Sequence, residues 1–256
     1  MSRIAIITAR GGSKRIPGKN IKNFCGKPII AYSIEAALES KVFDEVMVST
    51  DSEQIAEIAQ NYGAKVPFMR SEQTAGDYAT TDDVLLEVFD EYQKRGQTFD
   101  IAVCIYPTAP FVTAEKLARC VELLEETNAD TVMPVVRYSF PPQRCLVADK
   151  AAAMNQVVTA DEFAAMDETA ADTVTMHYKW PEQYSSRSQD LEPYYHECGQ
   201  FYGYRVDKYI EKKGLFLTDV ATIEVSELEV QDIDNMDDWR LAELKYQLLL
   251  QRGINL

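Results

Sequence analysis

Short segments rich in β-branched residues alternate with amphipathic segments along residues 1–136. Apolar runs of strand length predict strands, and apolar residues on one helical face predict helices. The predicted strands are Arg3–Ala9, Glu45–Ser49, Ile101–Tyr106 and Thr131–Val136. The predicted helices are Pro28–Leu38, Asp51–Asn61, Asp82–Lys94 and Ala114–Thr127. This alternation predicts an α/β fold with a doubly wound, mostly parallel sheet and right-handed crossovers.

Two local patterns add detail to this expectation. The spacing of Asp51 and Gln54 predicts a capping box at the start of the second helix, and Gly63 is placed to end that helix. Residues 64–69 form a short run that we expect to be extended.

The alternation stops after Arg137. Residues 138–196 contain four prolines and many tyrosines without a clear period. We interpret them as an irregular lobe inserted into a single domain that spans residues 1–256. Beyond the lobe, Phe201–Val206 and Ala221–Val225 predict returning strands, and Asp237–Arg252 predicts a long helix.

Charge is distributed unevenly along the chain. The net charge of −15 argues against a general binder of nucleic acid or of a membrane surface. Residues 1–30 nevertheless contain seven basic side chains and no acidic one. A basic segment on an acidic chain predicts a pocket for a small anion.

Composition also bears on the cellular compartment. The first apolar run, Ile4–Ala9, is shorter than the core of a secretion signal. No apolar run approaches the roughly 18 residues of a membrane span. Five dispersed cysteines without a Cys-x-x-Cys pair are typical of reduced thiols. We therefore expect a cytoplasmic protein.

The segment Arg10–Asn20 follows the first predicted strand directly. Ligands of doubly wound sheets bind beyond the carboxyl ends of the strands, and glycines let backbone amides approach an anion. Four cations lie within ten positions, namely Arg10, Lys14, Arg15 and Lys19. We therefore expect a diphosphate or triphosphate ligand. The Walker and Gly-x-Gly-x-x-Gly patterns are absent, which argues against a P-loop NTPase and a Rossmann dehydrogenase.

Five segments, in chain order, resemble the CMP-acylneuraminate cytidylyltransferases, which join CTP to a nine-carbon keto-sugar acid. They are Ala9–Asn20, Val48–Asp51, Ala75–Thr81, Tyr106–Pro110 and Gln231–Asp234. The resemblance extends from about residue 3 to 240. It implies a Rossmann-like nucleotidyltransferase fold in which the sugar anomeric hydroxyl attacks the α-phosphorus of CTP and pyrophosphate leaves.

Two departures favour one branch of that family. Tyr106 stands where the sialic-acid enzymes have Gln, and His196–Phe201 differs from their Asn-Gly-Ala segment. Both features resemble the pseudaminic acid cytidylyltransferases, which act on a bacterial 5,7-diamino analogue of sialic acid for surface glycan or flagellin glycosylation. Sialic, legionaminic and deoxyoctulosonic acids are the alternative substrates.

The resemblance implies roles for particular residues. Arg10 and Lys19 would stabilise charge at the α-phosphate and the leaving group. The implied nucleotide contacts are Ala9, Arg10, Gly12, Ser13, Lys14, Lys19, Asn20, Arg70, Thr80 and Thr81. Some of these residues have structural alternatives. Asn20 could cap a turn, Arg70 could form a salt bridge, and Thr80 or Thr81 could be a helix N-cap.

The late Asp-x-Asp resembles the family's metal-binding pair and implies Mg²⁺ at Asp232 and Asp234. On an extended segment alternate residues point the same way, so both carboxylates would face one side while Ile233 packs inward. Two hard oxygen ligands suit Mg²⁺ that bridges to phosphates. An ordinary acidic loop is the other interpretation.

The sugar pocket is expected to involve the lobe. The candidate sugar contacts are Tyr106, Arg187, Gln189, His196, Gln200 and Tyr202. Arg187 would pair bidentately with the sugar carboxylate. Related enzymes are typically dimers, so the resemblance also implies a homodimer supported by the lobe.

Two other function classes stay open. One is a non-catalytic CTP-binding protein that has kept the fold. The other is a sugar transferase, which also uses an Asp-x-Asp and a nucleotide. The sequence offers no supported Ser/His/Asp or Cys/His set for covalent catalysis and no zinc-site spacing.

Overall fold

A computed structural model describes residues 1–148, 175–214 and 219–254. The chain divides into two units, one formed by Met1–Val136 with Glu197–Leu256 and the other by Arg137–His196. Residues 149–174 of the predicted lobe lie outside the described residues. The interpretation of residues 138–196 as a lobe within a single domain stays a prediction.

The described strands are short, as buried strands of α/β proteins usually are. In chain order they are β1 (Arg3–Thr8), β2 (Asn23–Phe24), β3 (Lys27–Pro28), β4 (Glu45–Ser49), β5 (Ile101–Ile105), β6 (Thr131–Arg137), β7 (Leu146–Ala148), β8 (Met176–Tyr178), β9 (Tyr195–Glu197), β10 (Phe201–Arg205) and β11 (Val220–Glu224). The described helices are α1 (Ile29–Ser40), α2 (Glu53–Asn61), α3 (Glu72–Ala75), α4 (Thr81–Lys94), α5 (Ala114–Glu126), α6 (Val206–Lys212) and α7 (Met236–Gln251). Among them, none is long and apolar enough to cross a membrane.

The central sheet of the first unit has the strand order β11-β6-β10-β5-β1-β4. β1 pairs in parallel with β4 and β5, and β11 pairs in parallel with β6. β10 is antiparallel to both β5 and β6, so a reversed strand lies between the parallel β4-β1-β5 and β6-β11 pairings, and β9 also pairs with β6. The predicted α/β fold with a mostly parallel sheet is therefore confirmed.

Alternate residues of the strands supply two separate cores, because successive side chains of a strand point to opposite faces. Ala5 and Ile7 of β1 pack with α1, α2 and α5 on one face. Ile4 and Ile6 pack with α4 and α6 on the other face. Burial on both faces explains why the strands are almost continuously apolar.

A third core lies beneath the segment that follows β1. It contains Phe24 of β2, Tyr32 of α1 and Trp239 of α7, together with Ile16 and Ile233. The Phe24 ring meets the Tyr32 and Trp239 rings edge to face, each with centroids 5.5 Å apart. This core joins the C-terminal helix to the beginning of the chain.

One local prediction was wrong. Ser52, not Asp51, is the N-cap of α2, and its side chain accepts from Ile55 N. The Asp51 carboxylate instead accepts from Gly11 N at 2.7 Å, a contact between distant segments that outcompetes local capping. Within the run at 64–69, which we expected to be extended, Lys65 forms an isolated parallel bridge with Met47 of β4.

The second unit is built from short elements and aromatic contacts. β7 and β8 pair antiparallel, with Leu146 opposite Tyr178. The Tyr178 ring also packs against the Tyr184 ring at an interplanar angle of 60°, with ring centroids 5.0 Å apart. Several large apolar side chains of this unit are exposed: Tyr138, Phe140, Leu146, Val147, Met176, Tyr184, Tyr194 and Tyr195.

Gly203 of β10 leaves no room for a side chain. A Cβ built at this position would lie 2.4 Å from Cys120 Sγ and 3.0 Å from Leu124 Cδ1 of α5. We expect Gly203→Ala to lower the free energy of unfolding by about 1–3 kcal/mol because the helix must move away. Urea unfolding checks this prediction.

Gly12→Ala is the control, because a Cβ there would meet nothing within 4 Å. Adding Cys120→Ala to Gly203→Ala should restore part of the lost stability, since the nearest obstacle is then removed. A Gly203→Ala protein as stable as the unmodified chain would contradict the packing argument.

Candidate active site

The segment after β1, residues 9–22, is here called the basic loop, and it begins with two backbone anchors. Ala9 N donates to Ser49 O at 2.9 Å, which continues the pairing of β1 with β4. Gly11 N donates to Asp51 Oδ1 at 2.7 Å. The first residues of the basic loop are therefore fixed against the carboxyl end of β4.

A further anchor closes the basic loop on itself. Asn20 is 7% exposed, and its side-chain amide donates to Arg10 O at 2.9 Å. Gly18 has a φ of 64°, the left-handed region that glycine tolerates, and it precedes a 3₁₀ turn at Lys19–Ile21. Ile16 is buried in the third core. These contacts hold the two ends of the cationic run close to each other.

The basic loop forms one wall of a cavity of about 650 Å³ at the carboxyl ends of β1 and β5. Most predicted nucleotide contacts line this cavity: Arg10, Ser13, Lys14, Lys19, Asn20, Arg70, Thr80 and Thr81. Ala9 is fully buried and Gly12 is exposed, and neither belongs to the described wall. The structure thus gathers these residues, and their contact with a nucleotide stays a prediction.

The cavity wall carries a positive charge on an acidic protein. Five basic side chains line it, namely Arg10, Lys14, Arg15, Lys19 and Arg70. Asp77 and Asp234 are the acidic side chains among the described lining residues. Five positive and two negative charges leave a local excess of three, against a net charge of −15 for the chain. Such a wall favours a polyanion.

The two carboxylates of the wall hold three of its cations. Asp77 Oδ2 lies 2.5 Å from Lys14 Nζ, and Asp77 Oδ1 lies 3.3 Å from Arg10 Nη1. Asp234 Oδ2 lies 2.9 Å from Arg15 Nη1. These side chains are largely exposed, so each pair contributes little to stability and can exchange partners.

Lys19 joins the basic loop to the late Asp-x-Asp segment. Its ammonium donates to Ile233 O at 2.7 Å. Burial lowers the pKa of Lys19, and the carboxylates of Asp234 and Asp232 oppose that shift. Lys19 therefore lies between the phosphate-binding candidates and the metal candidates.

Two side chains from distant parts of the sequence hold the residues just before the Asp-x-Asp pair. Lys245 Nζ of α7 donates to Val230 O at 2.7 Å, and the Gln200 side-chain amide donates to Glu229 O at 2.5 Å. Ile233 is 1% exposed, as predicted. The segment has no regular secondary structure around the two aspartates, so these contacts set its path.

The donor set of this segment fits a hard divalent cation. Asp232 and Asp234 lie on either side of buried Ile233, and Asp234 lines the cavity. Among the described residues no cluster of three or more His, Cys, Asp or Glu could hold a metal ion alone. Two carboxylates that leave further positions to phosphate oxygens and water match the usual protein environment of Mg²⁺.

Arg70 is nine-tenths buried beside the end of β4. Its guanidinium donates to Ser49 Oγ at 3.1 Å and to Ser49 O at 2.7 Å. Burial lowers the pKa of Arg70, while the carboxylates of Asp51 and Glu87 oppose the shift. This anchoring shows a structural role, and Arg70 still contributes to the cavity wall.

Thr80 has a definite local role. It is the N-cap of α4, where it forms a capping box with Asp83. Its hydroxyl accepts from Asp83 N at 3.1 Å and donates to Asp83 Oδ2 at 2.8 Å. The helix-capping interpretation therefore holds for Thr80, while Thr81 is the first residue of α4 and lines the cavity.

The candidate sugar contacts fall into two sets. Tyr106 lines the cavity, and Gln200 and Tyr202 belong to the same unit. The Tyr106 and Tyr202 rings lie 5.7 Å apart, and Tyr202 donates to Glu197 Oε2 at 2.8 Å. Burial raises the pKa of Tyr106, so it is a neutral hydrogen-bonding group.

The remaining three candidates, Arg187, Gln189 and His196, are exposed residues of the second unit. His196 packs its ring 4.7 Å from that of Tyr138, a structural contact. Their role toward a sugar stays a prediction.

Sequence reasoning missed Asp77, Thr74 and Thr108, which also line the cavity. Asp77 lies within the Ala75–Thr81 segment that resembles a nucleotide-contacting part of the family. Its negative charge, opposite to that of the basic loop, could have indicated a contact with that loop. That inference also requires the rule that loops after neighbouring parallel strands meet at one edge of the sheet.

Comparison with known proteins indicates a class of protein that binds a nucleoside triphosphate, in agreement with the cationic cavity. The sequence profile of the cytidylyltransferase family matches residues 4–242. The chain therefore belongs to the cytidylyltransferase family, which makes it a nucleotidyltransferase. Cytidylyltransferases that act on CTP generally use a divalent metal ion.

Two curated relatives are similar over nearly their whole length. The pseudaminic acid cytidylyltransferase of Campylobacter jejuni is 36% identical over 248 residues, which cover 97% of both chains. The CMP-N,N'-diacetyllegionaminic acid synthase of Legionella pneumophila is 32% identical over 255 residues, again 97% of both chains.

A solved structure shares the fold. A CMP:2-keto-3-deoxy-manno-octonic acid synthetase complexed with CTP superposes with a TM-score of 0.64. The two sequences are 18% identical, and the match covers 98% of this chain and 100% of that chain. The likeness supports the mixed, mostly parallel sheet described above.

Proposed function

We propose that the protein transfers CMP from CTP to pseudaminic acid and releases pyrophosphate. The observation that carries the proposal is the cavity of about 650 Å³, whose wall has five basic and two acidic side chains. A chain with a net charge of −15 has no general reason to gather cations there. The Campylobacter relative, 36% identical over 97% of this chain, supports pseudaminic acid as the sugar.

The reaction brings together two anions. A sugar carboxylate near a triphosphate costs Coulomb energy, on the order of several kcal/mol at an intermediate dielectric. Arg10 and Lys19 offset this repulsion by stabilising charge on the α-phosphate and the departing pyrophosphate. Lys14 and Ser13 lie beside them on the wall and bind the outer phosphates. The reaction then depends on positioning and charge rather than on a covalent intermediate.

Asp232 and Asp234 are the proposed Mg²⁺ ligands. The metal ion, when bound, neutralises phosphate charge and orients the triphosphate. The chain's own contribution is to hold Asp234 in the cavity wall through the buried Ile233 and its carbonyl contact with Lys19, while Asp232 is exposed and lies outside the described wall. Arg15, now paired with Asp234, would then be released toward a phosphate oxygen.

Sugar recognition is proposed for Tyr106, Gln200 and Tyr202 in the first unit and for Arg187, Gln189 and His196 in the second. Gln200 is 3% exposed and lies outside the described cavity wall, and its side-chain oxygen has no hydrogen-bond partner among the described residues. A sugar hydroxyl or amide would satisfy that oxygen only after neighbouring groups move to expose it. Arg187 has the bidentate geometry that a carboxylate needs.

The cellular setting is also proposed. CTP is an intracellular nucleotide, and the five cysteines are free thiols, which supports a cytoplasmic enzyme. Exposed aromatic side chains of the second unit, including Phe140 at 87% exposure, support a homodimer. We expect light scattering to give about twice the 29.0 kDa of one chain.

Product analysis tests the proposed function. The protein is mixed with CTP, Mg²⁺ and one sugar acid at a time: pseudaminic, legionaminic, sialic or deoxyoctulosonic acid. We expect the mass of CMP-pseudaminic acid and stoichiometric pyrophosphate. The 32% identity to a legionaminic acid synthase makes that sugar the second candidate. Turnover of another sugar with none of pseudaminic acid would reject the assignment, and CTP binding without any product would indicate a non-catalytic protein.

We expect Lys19→Ala to lower kcat/KM by about tenfold or more, because a charge-assisted contact to phosphate is lost. Steady-state pyrophosphate release measures the effect, and circular dichroism checks the fold. Lys22→Ala is the matched control, since Lys22 lies over the Trp239 ring and outside the described cavity wall. Equal rates for Lys19→Ala and the unmodified enzyme would remove Lys19 from the mechanism.

Asp234→Asn should raise the Mg²⁺ concentration for half-maximal activity by about tenfold, because an amide is a weaker ligand for a hard cation. Mg²⁺ titration of the initial rate measures this shift. Asp237→Asn is the control, because the Asp237 side chain is 90% exposed and pairs with Arg240 on α7. An unchanged titration curve for Asp234→Asn would place the metal elsewhere.

A further inference from the structure

One carboxylate occupies the donors that the proposed function assigns to phosphate. Asp77 Oδ2 lies 2.5 Å from Lys14 Nζ, and Asp77 Oδ1 lies 3.3 Å from Arg10 Nη1. All three side chains line the same cavity. A phosphate oxygen needs the same hydrogens on Lys14 and Arg10. Asp77 and the polyphosphate therefore compete for these two cations.

The segment that carries Asp77 is held at its ends and open in its middle. Before it, the Thr74 hydroxyl donates to the Glu87 carboxylate. After it, Thr80 begins α4 in a capping box. Between these points, the Tyr78 side chain is 99% exposed. The Asp77 side chain can thus leave its partners without breaking the helices on either side.

The ion pairs of Asp77 with Lys14 and Arg10 are weak enough for a phosphate group to replace the carboxylate. The Lys14 side chain is 79% exposed, that of Asp77 48% and that of Arg10 41%. Exposed ion pairs contribute little, because water screens them and ordering long side chains costs entropy. A single carboxylate therefore loses to a polyphosphate that brings several charges, but displacing it lowers the affinity of every ligand that needs Lys14 and Arg10.

We propose that Asp77 is an exchangeable counter-ion, which occupies Lys14 and Arg10 until a polyphosphate displaces it and takes them again as pyrophosphate leaves. Asp77 thereby lowers the affinity of the cationic wall for polyphosphates and prevents that wall from retaining the product. The inference rests on the proposed function, because that function gives the cavity to a triphosphate and makes pyrophosphate a product.

Calorimetry with CTP, CMP and inorganic pyrophosphate tests the inference on the full chain. Asp77→Asn removes the competing charge and keeps the side-chain shape. We expect it to bind pyrophosphate and CTP about three- to tenfold more tightly, with a change of less than about twofold for CMP. The inhibition constant of pyrophosphate in the forward reaction should fall by the same factor. Damage to the fold would weaken the binding of these ligands. Tighter pyrophosphate binding by Asp77→Asn would therefore indicate loss of the competing charge and not damage to the fold.

Two further variants control for other causes. Glu72→Gln makes the same charge change on the exposed α3 helix, outside the described cavity wall, and should leave the three affinities unchanged. Asp77→Glu retains the charge and should behave like the unmodified protein. Unchanged or weaker pyrophosphate binding by Asp77→Asn would overturn the inference, as would equal tightening by Glu72→Gln.

The outcome also separates this inference from the proposed function. Product formation by the unmodified enzyme without tighter binding by Asp77→Asn rejects the counter-ion role alone. Tighter pyrophosphate binding by Asp77→Asn without any sugar turnover rejects the proposed reaction and supports the polyphosphate competition.

Discussion

The site depends on holding like charges together on an acidic protein. Arg10, Arg15 and Lys19 repel one another, and the two arginines help to lower the pKa of Lys19. The chain offsets that repulsion with backbone anchors and with carboxylates. Asp51 fixes the Gly11 amide, and Asn20 fixes the Arg10 carbonyl. Without these contacts the cations would separate into water, where each is better solvated.

The sheet order explains why the walls of the cavity meet. β4, β1 and β5 are adjacent and parallel, so their carboxyl ends and following loops share one edge. The reversed strand β10 starts at that edge and brings Gln200 to it, where Gln200 O accepts from Tyr106 N at 2.8 Å. A single antiparallel strand thus returns the chain to the site after the second unit.

The sequence predicted the features that depend on local periodicity or on a contiguous motif. The four early strands, their helices and the basic loop are of this kind, and their bounds agree within about two residues. The position of β10 between β5 and β6 was not predictable, because it follows an insertion of about sixty residues and depends on long-range pairing.

The mistaken details have a common physical cause. Asp51 has the spacing of a helix cap, yet its carboxylate binds Gly11 N across the sheet edge. Sequence reasoning also missed the contact between Lys19 Nζ and Ile233 O, which joins residues 214 positions apart. Such contacts depend on which segments become neighbours after folding, and no local pattern encodes them. The roles of the site residues toward ligands remain predictions for the same reason.

The hydrogen bonds that hold the Asp-x-Asp segment affect when the proposed metal site can form during synthesis of the chain. Carbonyls of residues 229–233 accept from Lys19, Gln200 and Lys245, so the path into the Asp-x-Asp pair depends on donors from three distant parts of the sequence. Lys245 lies on the last described helix and leaves the ribosome after both aspartates. A nascent chain that ends before this helix would possess the two carboxylates without the Lys245 ammonium that holds the Val230 carbonyl. The proposed metal site would therefore form late in biosynthesis, after the terminal helix has docked.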